Sequence, residues 1–562
     1  MNKIIDLKKL FQEKKFKEII FNIENRIPDN EKTSGILNVL GACRLLKGRA
    51  NKKDLFQALS DFRAAYLKEK KTNHSKEAFI NFANVSIDLF EYENTEENHT
   101  LSLKNFKEAI FFFEKEDYLK NDPKAVLAII RVYKRLVDLK KVNKCLEHLI
   151  KNNHLNPFVL NNYIYHNSFF TDWIQKDYLK YTKMLDQILP LYPANKLVSL
   201  NYKRDKKIKV GFLSSDLFKL HPVTNFLKTI LLNYNSKEFE IFLYLNNHPK
   251  NEDETTKNLK KLSTKSQIIS DLNDIDAINL IRSDKIDILV DLMGVTSKSR
   301  LTLIKNRVAP VQVSWCGYCN TTGVKEMDHI ITDPNLIPKQ EKENYTESVI
   351  YLPKIWNAHA GIDLERVYID PPFVKNKFIT FGSFNNFRKI NDDVIYVWSE
   401  ILKNIPNSKL ILKSSSVLSN DFISEKFKNN NVLDSVFFYP YTSDYKKHVY
   451  DYNKIDIALD TFPYPGVTTS FEAIWMGVPV VTKKGFNFIS RCGESISKNL
   501  NMENLISQND KDYIKLACEI ATNKDQLIKI RQEIFNTALS TPLFDAKNFN
   551  NEFFNILRKT LK

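Results

Sequence analysis

Hydrophobic residues recur every three or four positions through roughly the first 200 residues, which is the spacing of amphipathic helices. The stretch Val126–Tyr133 shows this spacing, and no convincing alternating strand pattern interrupts the region. A small residue four positions before a large apolar one recurs at Ala58–Phe62, Ala109–Phe113 and Cys145–Leu149. This recurrence is typical of tetratricopeptide-like repeats, whose nominal period is about 34 residues. We therefore predict two or three degenerate repeats over residues 1–156, with an unrelated helical bundle as the alternative.

The pattern changes after residue 208 to short apolar runs separated by helical segments. Such alternation predicts parallel sheets with helices on both faces. One series of strands begins at Lys209, and a second begins near Phe378, after a polar stretch at about Gly361–Lys377. A helical connector, residues 157–208, precedes the first series. We predict two Rossmann-like halves, 209–365 and 376–562, with ligands bound in the cleft at the carboxyl ends of the strands.

The few glycines mark where turns concentrate. Only 13 of the 562 residues are glycine, and ten of them lie between Gly211 and Gly493. The site-bearing loops are therefore expected in that interval, and the glycine-free tail is expected to form helices that close the second half. A polar loop is expected near Glu91–Thr100, within the helical region. The sequence contains no apolar run long enough for a membrane span and no signal-peptide core, so we expect a cytoplasmic protein with reduced thiols.

The formal net charge of +16 raises the possibility of a nucleic-acid partner. Most of the basic residues are lysines, and arginine, the usual reader of bases and phosphates, is rare. A lysine-rich solvated surface is the simpler interpretation, so we expect no nucleic-acid partner.

Two short motifs resemble metal sites but have ordinary explanations. Cys316-x-x-Cys319 has no second cysteine pair at zinc spacing, so we expect structural or free thiols. Asp274-Ile-Asp276 resembles the acidic motif of metal-dependent glycosyltransferases, but it stands where a helix is predicted to begin, so we expect capping.

The strongest local signal runs from Asp460 to Thr482. A strand ends at Asp460, a turn containing Gly466 follows, and Thr468-Thr469-Ser470 is predicted to open a helix with capping hydroxyls. Backbone N–H groups and hydroxyls at a helix N-terminus suit a diphosphate. Glu472, in the first turn, could accept hydrogen bonds from ribose hydroxyls. An ordinary capped helix is the alternative.

The full string resembles the nucleotide-sugar motif of the O-linked N-acetylglucosamine transferase-like glycosyltransferases, family 41. Further segments resemble the same family in the same order, and they are Val210–Asp216 with His221, Asp287–Gly294, Ala309–Gly323, Met327–Asp333, Phe381–Lys389 and His448. The resemblance covers about residues 200–555, with tetratricopeptide-like helices ahead of it. It implies an α-helical array followed by an α/β GT-B fold of two Rossmann-like domains.

The resemblance also implies roles for single residues. Lys389 matches the lysine that contacts the diphosphate, and it would neutralise the charge that grows in the transition state. Gly466, Thr468, Thr469 and Ser470 would hold the same phosphates, so no metal or other cofactor is expected. The imidazole of His221 would orient or deprotonate the acceptor. Two further positions, Asn386 and His448, match residues near the nucleotide.

Three positions depart from the family pattern. Val295 and Val467 stand where the family often has histidine, and Tyr445 stands where protein O-GlcNAc enzymes place a lysine. We still expect an inverting, metal-independent glycosyltransferase that moves N-acetylglucosamine from UDP-GlcNAc to Ser or Thr of proteins bound by the helical repeats. UDP-glucose or GDP-fucose as donor, and asparagine, flagellin or a glycan as acceptor, stay open. A protein-interaction scaffold with a degenerate transferase half is the alternative of another class.

Overall fold

A computed structural model of the chain describes residues 6–47, 51–92, 96–193, 206–219, 221–296, 298–414 and 417–561. Their contacts divide the chain into two compact units. One comprises residues 1–154 with 416–422, and the other comprises residues 155–415 with 423–562.

The first unit is helical throughout residues 6–154, apart from the short gaps in the described chain. Its helices are α1 (Leu7–Gln12), α2 (Phe16–Arg26), α3 (Ser34–Leu46), α4 (Lys52–Lys68), α5 (Asn73–Tyr92), α6 (Glu96–Lys115), α7 (Asp117–Lys120), α8 (Pro123–Arg135) and α9 (Leu139–Lys151). Their starts follow local sequence signals. Thr33 caps α3, Asn51 forms a capping box at α4, and Asp122 caps α8 just before Pro123.

Small residues allow close helix packing in this unit, as the sequence predicted. A Cβ atom on Gly41 would lie 2.8 Å from the ring of Phe62, so glycine lets α3 and α4 approach each other. The prediction of a polar loop near Glu91–Thr100 was wrong about the extent of the loop. Helix α5 continues to Tyr92 and α6 begins at Glu96, and residues 93–95 lie outside the described residues. Glu91 and Thr100 are exposed residues of helices, and polar residues on an exposed helix face give the same pattern as a loop.

The connector contributes two helices to the second unit, α10 (Pro157–Asn167) and α11 (Gln175–Ile188). The side chain of Gln175 donates a 2.8 Å hydrogen bond to the Oδ1 of Asn320, which lies in the loop between the fifth and sixth strands of the first sheet. At the other end, the carbonyl of Phe169 accepts a 2.9 Å hydrogen bond from Asn391 in the second half. The connector therefore contacts both halves of the unit. Its end, at residues 194–205, lies outside the described residues.

The first half contains a seven-stranded parallel sheet in the order β3-β2-β1-β4-β5-β6-β7. Its strands are β1 (Ile208–Ser214), β2 (Phe239–Leu245), β3 (Lys265–Ile268), β4 (Ile288–Asp291), β5 (Val311–Ser314), β6 (His329–Thr332) and β7 (Ser348–Tyr351). The helices between them are α12 (Pro222–Asn233), α13 (Glu254–Leu262), α14 (Asp274–Ser283) and α15 (Leu301–Lys305). Asp274 does begin a helix, as expected, and its carboxylate pairs with Arg300 at 2.9 Å.

The second half repeats this topology with six parallel strands in the order β10-β9-β8-β11-β12-β13. They are β8 (Thr380–Ser383), β9 (Lys409–Ser414), β10 (Val436–Pro440), β11 (Ile457–Leu459), β12 (Val480–Lys483) and β13 (Ile506–Ser507). The helices are α16 (Phe373–Asn376), α17 (Asp392–Asn404), α18 (Val417–Asn429), α19 (Tyr445–Tyr450), α20 (Thr468–Trp475), α21 (Cys492–Asn499), α22 (Asp510–Thr522), α23 (Lys524–Thr537) and α24 (Ala546–Lys559). The two predicted Rossmann-like halves are thus both present. No helix in the described part of the chain is long and apolar enough to cross a membrane.

The last helix does not close the second half, where the glycine-free tail was expected to lie. Helix α24 packs against α12 of the first half, and the Nδ2 of Asn550 donates a 2.9 Å hydrogen bond to the carbonyl of Ile230. The ring of Phe553 lies 4.6 Å from that of Trp315, which follows β5. The expectation is confirmed for α22 and α23, which pack on elements of the second half, and it is wrong for α24. An amphipathic pattern defines which face of a helix is buried but not which sheet receives it.

Candidate functional site

The candidate site lies at the carboxyl ends of two neighbouring strands of the second sheet, β8 and β11. These strands pair in parallel, so the loops that follow them emerge side by side. The loop after β8 carries Asn385 and Lys389, and the loop after β11 runs from Asp460 to the start of α20. Segments about 75 residues apart in the sequence therefore meet, as the hydrogen bond between Lys389 and Pro465 shows.

Lys389 is held in this loop pair by its own ammonium group. Its Nζ donates a 2.7 Å hydrogen bond to the carbonyl of Pro465 and a weaker one, at 3.4 Å, to the Oδ1 of Asn385. It also lies 4.6 Å from the ring centre of Tyr464. Burial lowers the pKa of Lys389 to about 8, while the nearby carboxylate of Asp460 opposes this shift. A cation is thus enclosed where an anionic ligand could share it.

Asp460 shapes the turn that faces Lys389. Its Oδ1 accepts hydrogen bonds from the backbone N–H groups of Thr461 at 2.9 Å and Gly466 at 2.6 Å, and its Oδ2 accepts one from Thr482. Burial raises the pKa of this carboxyl group to about 6, against the opposing effect of these hydrogen bonds and of Lys389. Asp460 thus holds the turn, and the backbone donors it occupies are not free for a ligand.

Helix α20 begins at Thr468, as predicted, but the hydroxyls do not cap it. The N-cap position is Val467, which makes no side-chain capping bond. The hydroxyl of Thr469 donates to Asn385 at 3.1 Å, and that of Ser470 donates to the carbonyl of Gly466 at 3.2 Å. The hydroxyl of Thr468 is buried and has no partner among the described residues.

This arrangement leaves the first turn of α20 open toward a ligand. Within the described residues, the backbone N–H groups of Thr468, Thr469 and Ser470 have no acceptor, and the first helical bond is donated by Phe471. Unpaired N–H groups at a helix N-terminus favour an anion. A Cβ atom on Gly466 would lie 2.3 Å from the Oγ1 of Thr469, so a larger residue at this position would displace that side chain.

Glu472 and His448 are brought into direct contact on the other side of α20. The Oε2 of Glu472 lies 3.1 Å from the Nε2 of His448 and accepts a 3.3 Å hydrogen bond from the hydroxyl of Tyr452. The same hydroxyl reaches the carbonyl of Thr469 at 3.1 Å. The ring of Phe384 lies 5.9 Å from that of His448 and completes an aromatic wall. A carboxylate against such a wall suits a sugar hydroxyl beside a planar base.

Asn386 does not join these groups. Its side chain is exposed and accepts the N–H of Arg388 at the start of a short 3₁₀ turn. Its neighbour Asn385 is buried and contacts Lys389, Thr469 and Asp460 instead. The structure therefore brings Asn385, and not the predicted Asn386, into contact with Lys389, and nothing in the local pattern indicates which of the two points inward.

His221 stands in the first half, at the N-terminus of α12. Its Nε2 lies 3.8 Å from the Oδ1 of Asp216, and its Nδ1 is shielded from solvent without a partner in the described structure. Burial lowers the pKa of His221, opposed by the charge of Asp216. The imidazole is therefore neutral at neutral pH and able to accept a proton. Among the described residues, no hydrogen bond or ring contact joins it to Lys389 or Asn385.

Tyr165, in the connector helix α10, lies close to both the loop of Lys389 and the loop of His221. Nothing in its local sequence indicated this position. Burial raises the pKa of its phenol, the charge of Arg388 opposes the shift, and the charge of Asp216 adds to it. Arg388 belongs to the loop of Lys389, and Asp216 to that of His221, so the phenol is close to both loops.

At the three positions that depart from the family pattern, the side chains are apolar or aromatic. Val295 is fully buried, and Val467 precedes α20. The ring of Tyr445 stacks on that of His448, with centres 6.3 Å apart. These side chains contribute packing surfaces where hydrogen-bonding groups were expected.

The described residues contain no group of three or more metal-ligating side chains arranged to hold an ion. All six cysteines are free thiols. Cys316 and Cys319 are buried, and the Sγ of Cys319 donates to the carbonyl of Cys316 at 3.4 Å.

The relatives found by comparison with known proteins agree with one another. The family model described as Glycosyl transferase family 41 matches residues 182–361 and 373–553. A tomato (Solanum lycopersicum) protein named as a probable UDP-N-acetylglucosamine–peptide N-acetylglucosaminyltransferase SPINDLY is 31% identical over 382 residues, which are 66% of this chain and 40% of that protein. An Arabidopsis thaliana protein with the corresponding name and the designation SEC is 26% identical over 402 residues, covering 68% of this chain and 40% of its own length.

A solved structure of a mutant O-GlcNAc transferase from Thermobaculum terrenum covers 97% of both chains. Its TM-score is 0.78 at 23% sequence identity, which shows a shared fold. The curated plant relatives are longer, and the matched region spans about 40% of their length.

Proposed function

Because the chain belongs to glycosyl transferase family 41, we propose that it transfers a sugar from a nucleotide diphosphate donor to a hydroxyl group of a protein. N-acetylglucosamine carried by UDP is the donor we favour, since the relatives' names specify UDP-N-acetylglucosamine and a peptide. Serine and threonine hydroxyls would be the acceptors.

The observation that carries the proposal is the enclosed ammonium of Lys389 beside the open first turn of α20. The diphosphate would lie between Lys389 and the N–H groups of Thr468 and Thr469. Negative charge on the leaving nucleotide grows as the glycosidic bond breaks, and a cation fixed beforehand stabilises that charge without reorganisation. This stabilisation would allow transfer without a metal ion.

The nucleoside would occupy the wall formed by Phe384, His448 and Glu472. The ring of His448 is fixed by Glu472 at 3.1 Å, so it offers a flat surface to the base. Glu472 would accept hydrogen bonds from the ribose hydroxyls, and the valine at position 467 would pack against the donor. The aromatic ring of Tyr445 would extend the same wall.

His221 would act on the acceptor side. A neutral imidazole can accept the proton of the attacking hydroxyl as the new bond forms with inversion at the anomeric carbon. Asp216, 3.8 Å away, would stabilise the imidazolium that results. The helices of the first unit would bind the extended acceptor polypeptide, as stacked helical repeats commonly do.

The proposal is tested by incubating the full chain with a panel of nucleotide sugars and a dephosphorylated cell lysate, and by detecting the transferred sugar by mass spectrometry. We expect transfer from UDP-N-acetylglucosamine in preference to UDP-glucose and GDP-fucose. UDP should also raise the melting temperature of the protein. A chain that binds neither UDP nor GDP and transfers nothing would instead be a protein-interaction scaffold.

A further inference from the structure

A cavity in the second half is lined by other residues than those of the candidate site. It has a volume of about 810 Å³, which falls in the range of small-molecule sites. It is bounded by residues of β8, β9 and β10, by the polar stretch Ile369–Asn376 and by Asn453. We call it the rear cavity. The proposed donor site lies at the carboxyl ends of β8 and β11, and none of its residues lines the rear cavity.

Aromatic rings and ammonium groups share one wall of the rear cavity. The Nζ of Lys409 lies 4.5 Å from the ring centre of Phe378 and 4.9 Å from that of Phe437. The Nζ of Lys454 lies 4.9 Å from the ring centre of Tyr439. Phe437 is 38% exposed, although it is a large apolar residue on a strand. An exposed ring of this kind is a platform on which a flat heterocycle can stack.

The rear cavity also carries uncompensated positive charge. Lys454 is paired with Asp451 at 2.7 Å. In contrast, no carboxylate of the described residues lies within ion-pair distance of Lys375 or Lys409, both of which line the cavity. Asp370 is the one acidic residue among the lining residues. Two free ammonium groups suit a single phosphate group.

Asn453 adds a polar recognition element. Its Nδ2 and Oδ1 are both shielded from solvent, and neither has a hydrogen-bond partner in the described structure. An unpaired amide offers one donor and one acceptor side by side, which matches the edge of a nucleobase.

We propose that the rear cavity is a second ligand site that binds a nucleoside monophosphate. The base stacks on Phe437 and Tyr439 with its edge at Asn453, and the phosphate lies between Lys375 and Lys409. This site is separate from the proposed donor site, and its occupancy does not depend on the proposed transferase activity.

The test is calorimetric titration of the full chain with adenosine 5′-monophosphate in the presence of saturating UDP, which fills the donor site. We expect one bound nucleotide per chain. Lys409→Met keeps an unbranched side chain over the rings but removes the charge, and it should weaken binding at least about tenfold. Asn453→Ala should weaken binding as well. The matched control is Lys428→Met, which removes one charge from the exposed end of α18 and should leave binding unchanged.

Three results would overturn the proposal. The first is the absence of nucleotide binding, and the second is the loss of nucleotide binding when UDP is added. The third is wild-type affinity for the nucleotide in both Lys409→Met and Lys375→Met, the second of which changes an exposed residue. Inorganic phosphate or adenosine alone should each bind more weakly than the nucleotide. Phosphate binding as tight as that of the nucleotide would contradict the assigned base contact.

Discussion

At the scale of single residues, the candidate site depends on a buried cation and a buried carboxyl group held close together. Lys389 and Asp460 each have a pKa shifted by burial toward the neutral form, and each charge opposes the shift of the other. Asn385 lies between them, with its Nδ2 3.5 Å from Asp460 and its Oδ1 3.4 Å from Lys389. An arrangement of this kind costs stability when empty, and an arriving diphosphate would relieve the desolvated ammonium.

Replacing Lys389 by methionine removes the charge while keeping the length of the side chain. We expect turnover to fall by at least about 100-fold, the scale of losing one preorganised charge stabiliser. The measurement is sugar transfer at saturating donor. Lys428→Met serves as the control, and near-wild-type turnover in Lys389→Met would refute the assigned role.

The pH dependence of the reaction should reveal the same ammonium group. Its pKa is lowered to about 8, so the charged form is lost as the pH rises through that value. We therefore expect kcat/KM for the donor to fall above about pH 8, since kcat/KM reports ionisations of the free enzyme. Lys389→Arg keeps its charge to much higher pH. A variant profile with the same alkaline decline would show that another group titrates.

His221→Ala should separate donor binding from transfer. The imidazole is in the first half and, among the described residues, makes no hydrogen bond with Lys389, so UDP should still raise the melting temperature. Transfer should fall by about 100-fold or more, the contribution of a general base. Loss of the UDP-induced shift would place His221 on the donor side instead.

At the scale of elements, the N-terminus of α20 has no side-chain cap. Its first hydroxyls contact Asn385 and Gly466 rather than the helix N-terminus. The free N–H groups at this end are the physical basis for proposing an anion site. The turn before the helix adopts its shape because Asp460 holds the N–H of Gly466.

Gly466→Ala tests this turn directly. The added methyl group would lie 2.3 Å from the Oγ1 of Thr469 and 3.1 Å from the Oδ1 of Asn385, so both side chains must move. We expect the KM for the donor to rise about tenfold or more, equivalent to about 1.4 kcal/mol of lost binding. Steady-state kinetics provide the measurement.

Gly35→Ala is the matched control for this substitution. Its added methyl group would be no closer than 3.4 Å to His74, and the residue lies in helix α3, where alanine is favoured. It should leave both kinetics and folding unchanged. An unchanged KM in Gly466→Ala would show that the turn does not shape the donor site.

At the scale of the whole molecule, the two halves of the second unit are held together by segments that are distant in the sequence. Connector helices contact both halves, and α24 returns from the end of the second half to pack on the first sheet. Phe553 is fully buried between Trp315 and Phe212, so the C-terminal helix belongs to the core of the first half.

Phe553→Ala should therefore destabilise the second unit by about 3–5 kcal/mol, the usual cost of removing a buried aromatic side chain. The measurement is urea unfolding followed by the fluorescence of the five tryptophans, all of which belong to the second unit. Tyr396→Ala, at a position 53% exposed on α17, should change stability by less than about 0.5 kcal/mol. Equal effects of the two substitutions would contradict the packing of α24.

Buried parallel strands appear in the sequence as apolar runs. The first strands of the two series, β1 and β8, begin within two residues of the positions that such runs predicted, Lys209 and Phe378. The edge strands β3 and β7 were not predicted, because partial exposure makes their sequences as polar as a loop. The two-residue strand β13 is too short to produce a pattern.

The sequence by itself determined the helical region, the two α/β halves and the segments from which the candidate site is built, because periodicity, caps and turns act over a few neighbouring residues. Only the tertiary structure decided that Asn385 rather than Asn386 faces Lys389, that the hydroxyls of α20 do not cap it, and that α24 crosses to the first sheet. Each of these outcomes includes a contact between residues far apart in the sequence: Asn385 contacts Asp460, Thr469 of α20 donates to Asn385, and Asn550 of α24 donates to Ile230. Local patterns contain no information about such partners, so the contacts were settled by packing.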